Sequence, residues 1–357
     1  MAPMKNKLIL GLITSLLLVV FIWVITAPKN CSSYDEYLYI NSHGEVTDAI
    51  VRLLGFTGIR IEGDILAPEN DWPKARLTIS SRKLNNVVQA VQGKDNPSIT
   101  WLGDLTKERW ELDSTKPVLS LLQAQYIIAI CEKALSQGPA SFPQEEPKAI
   151  LFLGSTLLSV RQRLAFLNSL YESKKIPNNI PVYILTGERK LNESIGETQT
   201  SLFDSDNGIV AFRSDWQKLG ELIVDEGMMI ELVFAQSRHK TLDEKNIKLV
   251  YSLKDQGRRA TTESTIIQWL KDTKPEKGLY LAISNQPYNF YQESVFRRVL
   301  LKAGNPDICV NVVGPAIKIT AQSEYAIINQ AQNLLNNLSR ILYELRLIRS
   351  SDLRNKK

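Results

Sequence analysis

The chain has 357 residues, 44% hydrophobic and 23% charged, which is enough for one large globular domain or two smaller ones. Its formal net charge of +5 is spread along the sequence, which argues against a nucleic-acid-binding protein, because such proteins cluster their basic residues. Three widely separated cysteines and two histidines argue against a Cys/His zinc site, and they permit one disulfide in an oxidising compartment.

The first predicted element is a membrane span, because residues 8–27 (LILGLITSLLLVVFIWVITA) contain no charge. A helix of 20 residues is about 30 Å long, the thickness of the hydrocarbon core of a bilayer. Lys5 and Lys7 precede the run, which predicts a cytoplasmic N-terminus and an exported main domain. A cleaved signal peptide is the alternative, but its apolar core usually has about 7–15 residues. We therefore predict a single-pass membrane protein with a retained signal anchor, residues 1–30, that contacts the lipid bilayer.

The sequence of the next region, residues 31–147, indicates helices but no particular fold. Residues 46–59 and 118–135 carry apolar side chains at helical spacing, and residues 75–80 alternate as a short strand does. The contribution of this region to function is left open by its sequence.

From residue 148 onward, apolar runs typical of buried strands alternate with segments typical of helices. The predicted strands are 149–154, 181–187, 247–253, 278–284 and 308–314, and the predicted helices are 157–173, 225–237, 262–272 and 290–304. Strands that alternate with helices pair in parallel, and continuous apolar strands indicate a sheet covered on both faces. The fold class is therefore α/β, with a doubly wound, Rossmann-like parallel sheet in residues 148–320.

The last predicted element is an amphipathic helix over residues 326–348, within a C-terminal region 321–357 that ends in a basic tail. Its apolar stripe either packs on the domain, which we favour, or forms a coiled-coil dimer. The same stripe is the predicted contact for a protein partner.

The candidate ligand site is the set of loops that follow the predicted strands, because ligands bind beyond the carboxyl ends of a parallel sheet. Gly154, Ser155 and Thr156 open a helix whose free N–H groups suit a phosphate or carboxylate, with simple capping as the alternative. Arg161 on this helix is the better of two nearby arginines to reach the mouth of the site.

Two further loops place charged side chains at the same predicted edge. One contains Gly187, Glu188 and Arg189, and the other contains Arg258, Arg259, Thr261 and Thr262. Two arginines before a hydroxyl-rich helix start suit an anion, because a guanidinium binds carboxylate and phosphate through two hydrogen bonds. A solvated turn is the alternative for the first loop, and a surface loop with a threonine cap is the alternative for the second.

The loop after residues 278–284 offers uncharged hydrogen-bonding groups. Its candidate ligand-binding residues are Ser284, Asn285, Gln286 and Tyr288, and the tyrosine is also suited to stacking on a ring. The alternative is a turn that buries its own amides. The dinucleotide fingerprint, the P-loop and the His-Glu-x-x-His metal motif are all absent from the sequence, which therefore names no cofactor or metal.

The order of these motifs resembles the YdcF-like family, which includes the SanA and ElyC envelope proteins. The resemblance runs from residue 148 to about residue 314 and rests on strands ending in FLGS, LTG and ISNQP and on the segment TTEST. Carried onto this sequence, it points to Gly154, Arg161, Gly187, Glu226, Thr262, Glu263, Ser284 and Arg297. The chain departs from the family pattern in having one glycine where the family has two, and in having no histidine after Ser284.

The resemblance implies a Rossmann-like domain behind a membrane anchor and a role in envelope or peptidoglycan-related processes. If the protein is an enzyme, it acts on an anionic small molecule or a lipid-linked sugar. Glu226 or Glu263 is then the acid or base, and Arg258, Arg259 and Arg189 hold the anion. The alternative is a non-catalytic, membrane-tethered binding or assembly factor, which the C-terminal helix and the missing histidine favour.

Overall fold

A computed structural model describes residues 36–57, 59, 82–92, 101, 119–134, 142–143, 145–217, 220, 222–254, 260–315 and 323–354, all of which belong to one unit, Ser32–Lys357. The predicted membrane span (8–27) and the predicted strand 75–80 lie outside the described residues. Within the described part of the chain, no helix combines the length and the apolarity that crossing a bilayer requires.

The central sheet consists of five parallel strands, as the alternating pattern predicts. They are β1 (Ile150–Leu153), β2 (Val182–Gly187), β3 (Ile247–Ser252), β4 (Gly278–Ile283) and β5 (Ile308–Val313), in the order β3-β2-β1-β4-β5. The strand order reverses between β1 and β4, and in a doubly wound sheet a crevice opens at the carboxyl ends of such a pair. The prediction of an α/β fold with a parallel sheet is confirmed.

The helices, in chain order, are α1 (Asp48–Phe56), α2 (Leu84–Val91), α3 (Leu121–Ala134), α4 (Leu157–Glu172), α5 (Gln199–Leu202), α6 (Glu226–Ser237), α7 (Thr262–Thr273), α8 (Asn289–Lys302) and α9 (Glu324–Arg354). Along β1, Ile150 and Phe152 pack with α4 and α6, whereas Leu151 and Leu153 pack with α7 and α8. Both faces of the strand are therefore buried, which is why its sequence is continuously apolar.

A separate layer of helices forms a second hydrophobic core beside the sheet. Leu53 of α1, Val88 of α2 and Ile127 of α3 belong to one buried cluster with Leu338 and Ile341 of α9. The predicted C-terminal helix therefore packs within its own chain, and it also contacts α8. Because α1–α3 come from residues 31–147, the structure joins in one core two segments that the sequence pattern separates.

The described cysteines are in two different states. Cys309 on β5 is disulfide-bonded, whereas Cys131 on α3 is a buried free thiol. Burial raises the pKa of Cys131 above the ordinary range for a thiol, and the nearby charge of Glu132 adds to the effect. At neutral pH Cys131 is therefore a protonated part of the helical core.

Candidate functional site

Three of the four predicted loops meet at the carboxyl edge of the sheet. The loops that contain Ser155, Glu188 and Asn285 follow β1, β2 and β4 directly. These three strands are adjacent and parallel, so their loops share one edge. The fourth predicted loop contains Arg258 and Arg259, which lie outside the described residues.

At this edge, the carboxylate of Glu226 lies directly against Gly154. Glu226 is the first residue of α6, and the preceding Asp225 caps the helix by accepting a hydrogen bond from the backbone N–H of Met228 (2.9 Å). A Cβ atom built on Gly154 would lie 2.1 Å from Oε1 of Glu226, so only glycine leaves room for this carboxylate. The glycine that ends the first predicted strand is therefore needed for the site.

Arg189 links Glu226 to a second buried carboxylate, Glu197. Its Nε donates to Oε2 of Glu226 (2.5 Å), while Nη1 and Nη2 donate to Oε2 and Oε1 of Glu197 (2.6 and 2.8 Å). Thr186 Oγ1 donates to Oε1 of Glu226 (3.2 Å). The sequence analysis missed Glu197, because it lies between predicted elements and follows no strand end. We refer to Arg189, Glu197 and Glu226 as the carboxylate–arginine triad.

The triad holds two carboxylates and one guanidinium almost out of contact with water. The side chains of Arg189, Glu197 and Glu226 are 12%, 0% and 11% exposed. Burial raises the pKa of Glu226, the charge of Glu197 adds to this, and Arg189 and Thr186 oppose it. For Arg189, burial alone would lower the pKa, but its hydrogen bond to Glu197 and its partners' charges raise it above the ordinary value. Glu226 is therefore the group of the triad best suited to exchange a proton.

The start of α4, predicted to bind an anion, is bound by a carboxylate of the protein itself. Thr156 occupies the N-cap position but its side chain makes no capping hydrogen bond, and its hydroxyl contacts Ser159 instead (3.3 Å). Glu197 Oε1 accepts the backbone N–H of Leu157 (3.2 Å). The carbonyl oxygen of Ser155 accepts a hydrogen bond from Arg189 (3.3 Å), which ties this loop to the triad.

Of the two arginines on α4, the structure places Arg163 at the carboxyl edge and turns Arg161 away from it. Arg161 donates to the carbonyl oxygens of Ser201 and Leu202 (2.8 and 3.2 Å) beyond the start of α5. Arg163 donates to Oδ1 of Asn285 (2.5 Å) and to two carbonyl oxygens at the end of β1 (2.6 and 2.8 Å). Residues two apart on an α-helix point to nearly opposite sides, and the choice between them depends on how α4 packs.

The polar loop after β4 is bonded to the protein on several sides. Asn285 also donates to Oε1 of Gln162 (3.3 Å), and the backbone N–H of Gln286 donates to the carbonyl oxygen of Pro315 (3.2 Å). The carbonyl oxygen of Pro287, which follows a cis peptide bond, accepts a hydrogen bond from Asn337 of α9 (2.8 Å). These contacts fix the loop in place, and both polar atoms of the Asn285 side chain are already hydrogen-bonded within the protein.

Two further candidates at this loop are positioned by the backbone. Ser284 is fully buried, its N–H donates to the carbonyl oxygen of Val313 (2.8 Å), and its hydroxyl has no hydrogen-bond partner among the described residues. Tyr288 is half-buried, and its backbone N–H donates to the carbonyl oxygen of Asn285 (2.9 Å). The ligand-binding roles of Ser284, Gln286 and Tyr288 stay predictions.

The second predicted catalytic residue, Glu263, lies on the opposite face of the sheet from Glu226. It is in the first turn of α7, where both its oxygens accept hydrogen bonds from Arg298 of α8 (3.0 Å each). Arg298 also donates to Glu344 of α9 (2.6 Å), so this network joins three helices. The hydrogen bond from Arg298 lowers the pKa of Glu263. The structure therefore does not bring Glu263 together with the triad.

The remaining predicted residues take ordinary structural positions. The cap of α7 is Thr261, which exchanges hydrogen bonds with Ser264, so the capping box begins one residue before Thr262. Arg297 is half-buried on α8 next to the network of Arg298. Glu188 accepts the backbone N–H of Lys254 (3.1 Å), and Gly187 lies so close to Ala260 that a Cβ would be 2.2 Å from that side chain.

Comparison of the chain with protein-family models, with curated proteins and with solved structures finds no match. The site is therefore interpreted from its own geometry. Among the described residues, no cluster of three or more His, Cys, Asp or Glu side chains is arranged to hold a metal ion. The edge carries a buried glutamate of raised pKa that is oriented by an arginine and a threonine, at the end of the sheet where ligands of parallel sheets bind.

Proposed function

We propose that this protein is a membrane-anchored, YdcF-like protein of the cell envelope that binds an anionic small molecule or a lipid-linked sugar at the carboxyl edge of its sheet. Glu226 is the acid or base of this site, and Arg189 positions it. Gly154 leaves room for the carboxylate, and Thr186 orients it.

The observation that supports this proposal most is the excess negative charge in the triad. A buried arginine needs one carboxylate for charge balance, and a second buried carboxylate costs stability unless it has another role. Arg189 is shared between Glu197 and Glu226, and the pKa of Glu226 is raised. Carboxylates held in this way are typical of catalytic acids and bases.

The anionic group of the ligand is bound by residues other than the arginine of the triad and the arginines of α4. Arg189 and Arg163 already donate to carboxylate, amide and carbonyl oxygens of the protein. We therefore assign the anion to Arg258 and Arg259, which precede α7 in the sequence. An exported location agrees with the disulfide at Cys309, because disulfides persist in oxidising compartments.

The proposal is tested by purifying the full-length protein from membranes and identifying the compounds released on denaturation by mass spectrometry. We expect an anionic compound from the wild type, its loss from an Arg258→Gln/Arg259→Gln variant, and its retention by Glu226→Gln. Turnover of that compound should fall at least about 100-fold in Glu226→Gln, the usual contribution of a general acid or base. The control is Glu276→Gln, because Glu276 forms an exposed ion pair with Lys148 far from the triad.

Two outcomes would contradict the proposal: no compound enriched in the wild type over Arg258→Gln/Arg259→Gln, or equal turnover by wild type and Glu226→Gln. In that case the non-catalytic alternative gains support, and one observation favours it already. Most of the described side chains of the edge are already bonded within the protein, among them Arg163, Arg189, Glu226 and Asn285. That alternative is tested at exposed positions of the helical layer, Leu122 and Tyr325, because deleting α9 would remove core residues. Substitution of both by serine should then reduce the capture of protein partners.

A further inference from the structure

A second cleft, of about 690 Å³, lies at the amino edge of the sheet. Its walls come from residues 142–143, 145–147, 171–172, 174–178 and 239–241, in the segments that precede β1, β2 and β3. These three strands are neighbours in the sheet, so the segments form one continuous surface. Because the segments precede the strands, the cleft is at the opposite edge from Glu226 and is independent of the proposed function.

The side chain of His239 forms a rigid, half-buried platform in this cleft. Its ring stacks on the ring of Tyr171, with centroids 5.9 Å apart and planes 10° apart. Nδ1 is 2.7 Å from Oγ1 of Thr241, which in turn lies 3.1 Å from Oδ1 of Asn178. The backbone N–H of His239 donates to Oδ1 of Asn168 (3.0 Å). A ring held by this many contacts loses little conformational freedom when a ligand binds to it.

The other walls of the cleft are flat and apolar. The ring of Phe142 lies close to the side chain of Lys175, whose ammonium is 5.8 Å from the centre of the ring. Three proline rings complete the walls: Pro143, Pro147 and Pro177. Aromatic and proline rings present rigid apolar surfaces on which a flat ligand face can lie.

The charged groups at the rim balance one another. The lining residues include three lysines and three glutamates: Lys174, Lys175, Lys240, Glu145, Glu146 and Glu172. All six are exposed to solvent, and none of the three ammonium groups forms an ion pair with a residue in the described part of the chain. An anion site would need an excess of donors. Equal numbers of donors and acceptors suit a neutral ligand whose hydroxyl groups both donate and accept.

We propose that this cleft is a carbohydrate-binding site that takes a neutral pyranose ring. The C–H face of the sugar lies on the rings of His239 and Phe142. Its hydroxyl groups bond to the lysine, glutamate and Asn178 side chains of the rim, while Thr241 keeps the histidine ring in position.

The two histidines of the chain make the site directly observable by NMR. His239 lines the cleft, whereas His43 is exposed and does not line it, so His43 is an internal reference. The experiment uses the full-length protein labelled at histidine and held in nanodiscs, which avoids detergents with sugar headgroups. Maltotriose, cellotriose and chitotriose are added separately, up to about ten times a Kd of about 1 mM. Inorganic phosphate is added as the anion control.

We expect at least one of these sugars to shift the ring signals of His239 saturably while those of His43 stay in place. In Thr241→Val, which removes the hydroxyl contact to Nδ1 of the histidine ring, affinity should fall about three- to tenfold, the usual effect of one lost hydrogen bond. Thr273→Val is the matched control, because its half-buried hydroxyl bonds to the carbonyl oxygen of Trp269 at the end of α7. This control should bind sugar as the wild type does.

Three results would overturn the proposal. In the first, none of the three sugars shifts the His239 signals over the whole concentration range. In the second, phosphate shifts them as strongly as the sugars do. In the third, the affinity of Thr241→Val equals that of Thr273→Val, which would show that the histidine platform does not take part.

Discussion

Replacing Arg189 by glutamine tests the electrostatics of the triad most directly. The substitution leaves the carboxylates of Glu197 and Glu226 buried without their shared cation, since their side chains are 0% and 11% exposed. Three charge-assisted hydrogen bonds of 2.5–2.8 Å are lost with it. Breaking a buried ion pair from one side costs about 3–5 kcal/mol, a large part of a typical unfolding free energy of about 5–15 kcal/mol.

The loss should depend on pH in a defined direction. The pKa of Glu226 is already raised above its ordinary value of 4.5, and removal of Arg189 raises it further. A carboxyl group with a raised folded-state pKa stabilises the protein below its unfolded-state pKa and loses that contribution as the pH rises. The difference in unfolding free energy between wild type and Arg189→Gln should therefore be greatest near neutral pH and shrink towards pH 4.5 and below.

Urea unfolding followed by circular dichroism at several pH values measures this difference. The matched control is Arg213→Gln, because the ion pair of Arg213 with Asp215 is more exposed and, like most surface ion pairs, should contribute little to stability. Our account of the triad is refuted if Arg189→Gln loses no more stability than Arg213→Gln, or if its deficit grows as the pH falls.

Four further substitutions follow from the same contacts, each measured by urea unfolding. Glu226→Gln should stabilise the protein by about 1 kcal/mol near pH 7 and not at pH 4, because it removes the excess buried charge; a loss of stability at pH 7 would contradict this. Gly154→Ala should cost about 1–3 kcal/mol, since the new Cβ would lie 2.1 Å from a carboxylate oxygen; an unchanged transition would show that the site relaxes freely. Arg298→Met should cost about 3–5 kcal/mol, because it leaves Glu344 buried and unpaired. Arg163→Met should cost about 3 kcal/mol and should speed hydrogen exchange in the loop after β4, because it removes hydrogen bonds to Asn285 and Leu153. Wild-type stability of either variant would show that the arginine does not hold its partners in place.

The sheet was the part of the fold most readily predicted. The strands β1, β2 and β4 are apolar on both faces and end at or just before a glycine or a polar residue, which makes them recognisable from local sequence. The helix α2 was not predicted, because eight residues are too few to show helical spacing clearly. The packing of α9 on α2 and α3 was also missed, since it joins segments about 190–230 residues apart and no local pattern specifies such a contact.

What the sequence by itself determined is the set of loops that meet at the carboxyl edge, because parallel strands align their ends whatever the details of packing. Tertiary structure alone decided which side chains meet there. It placed Arg163 rather than Arg161 at the edge, moved Glu263 into a network with Arg298, and brought in Glu197 from a segment without a sequence signal. The physical reason is that the positions of the strands and their parallel direction follow from local periodicity. The partner of a buried charge depends instead on the rotation of helices and the path of loops, and these depend on the whole core.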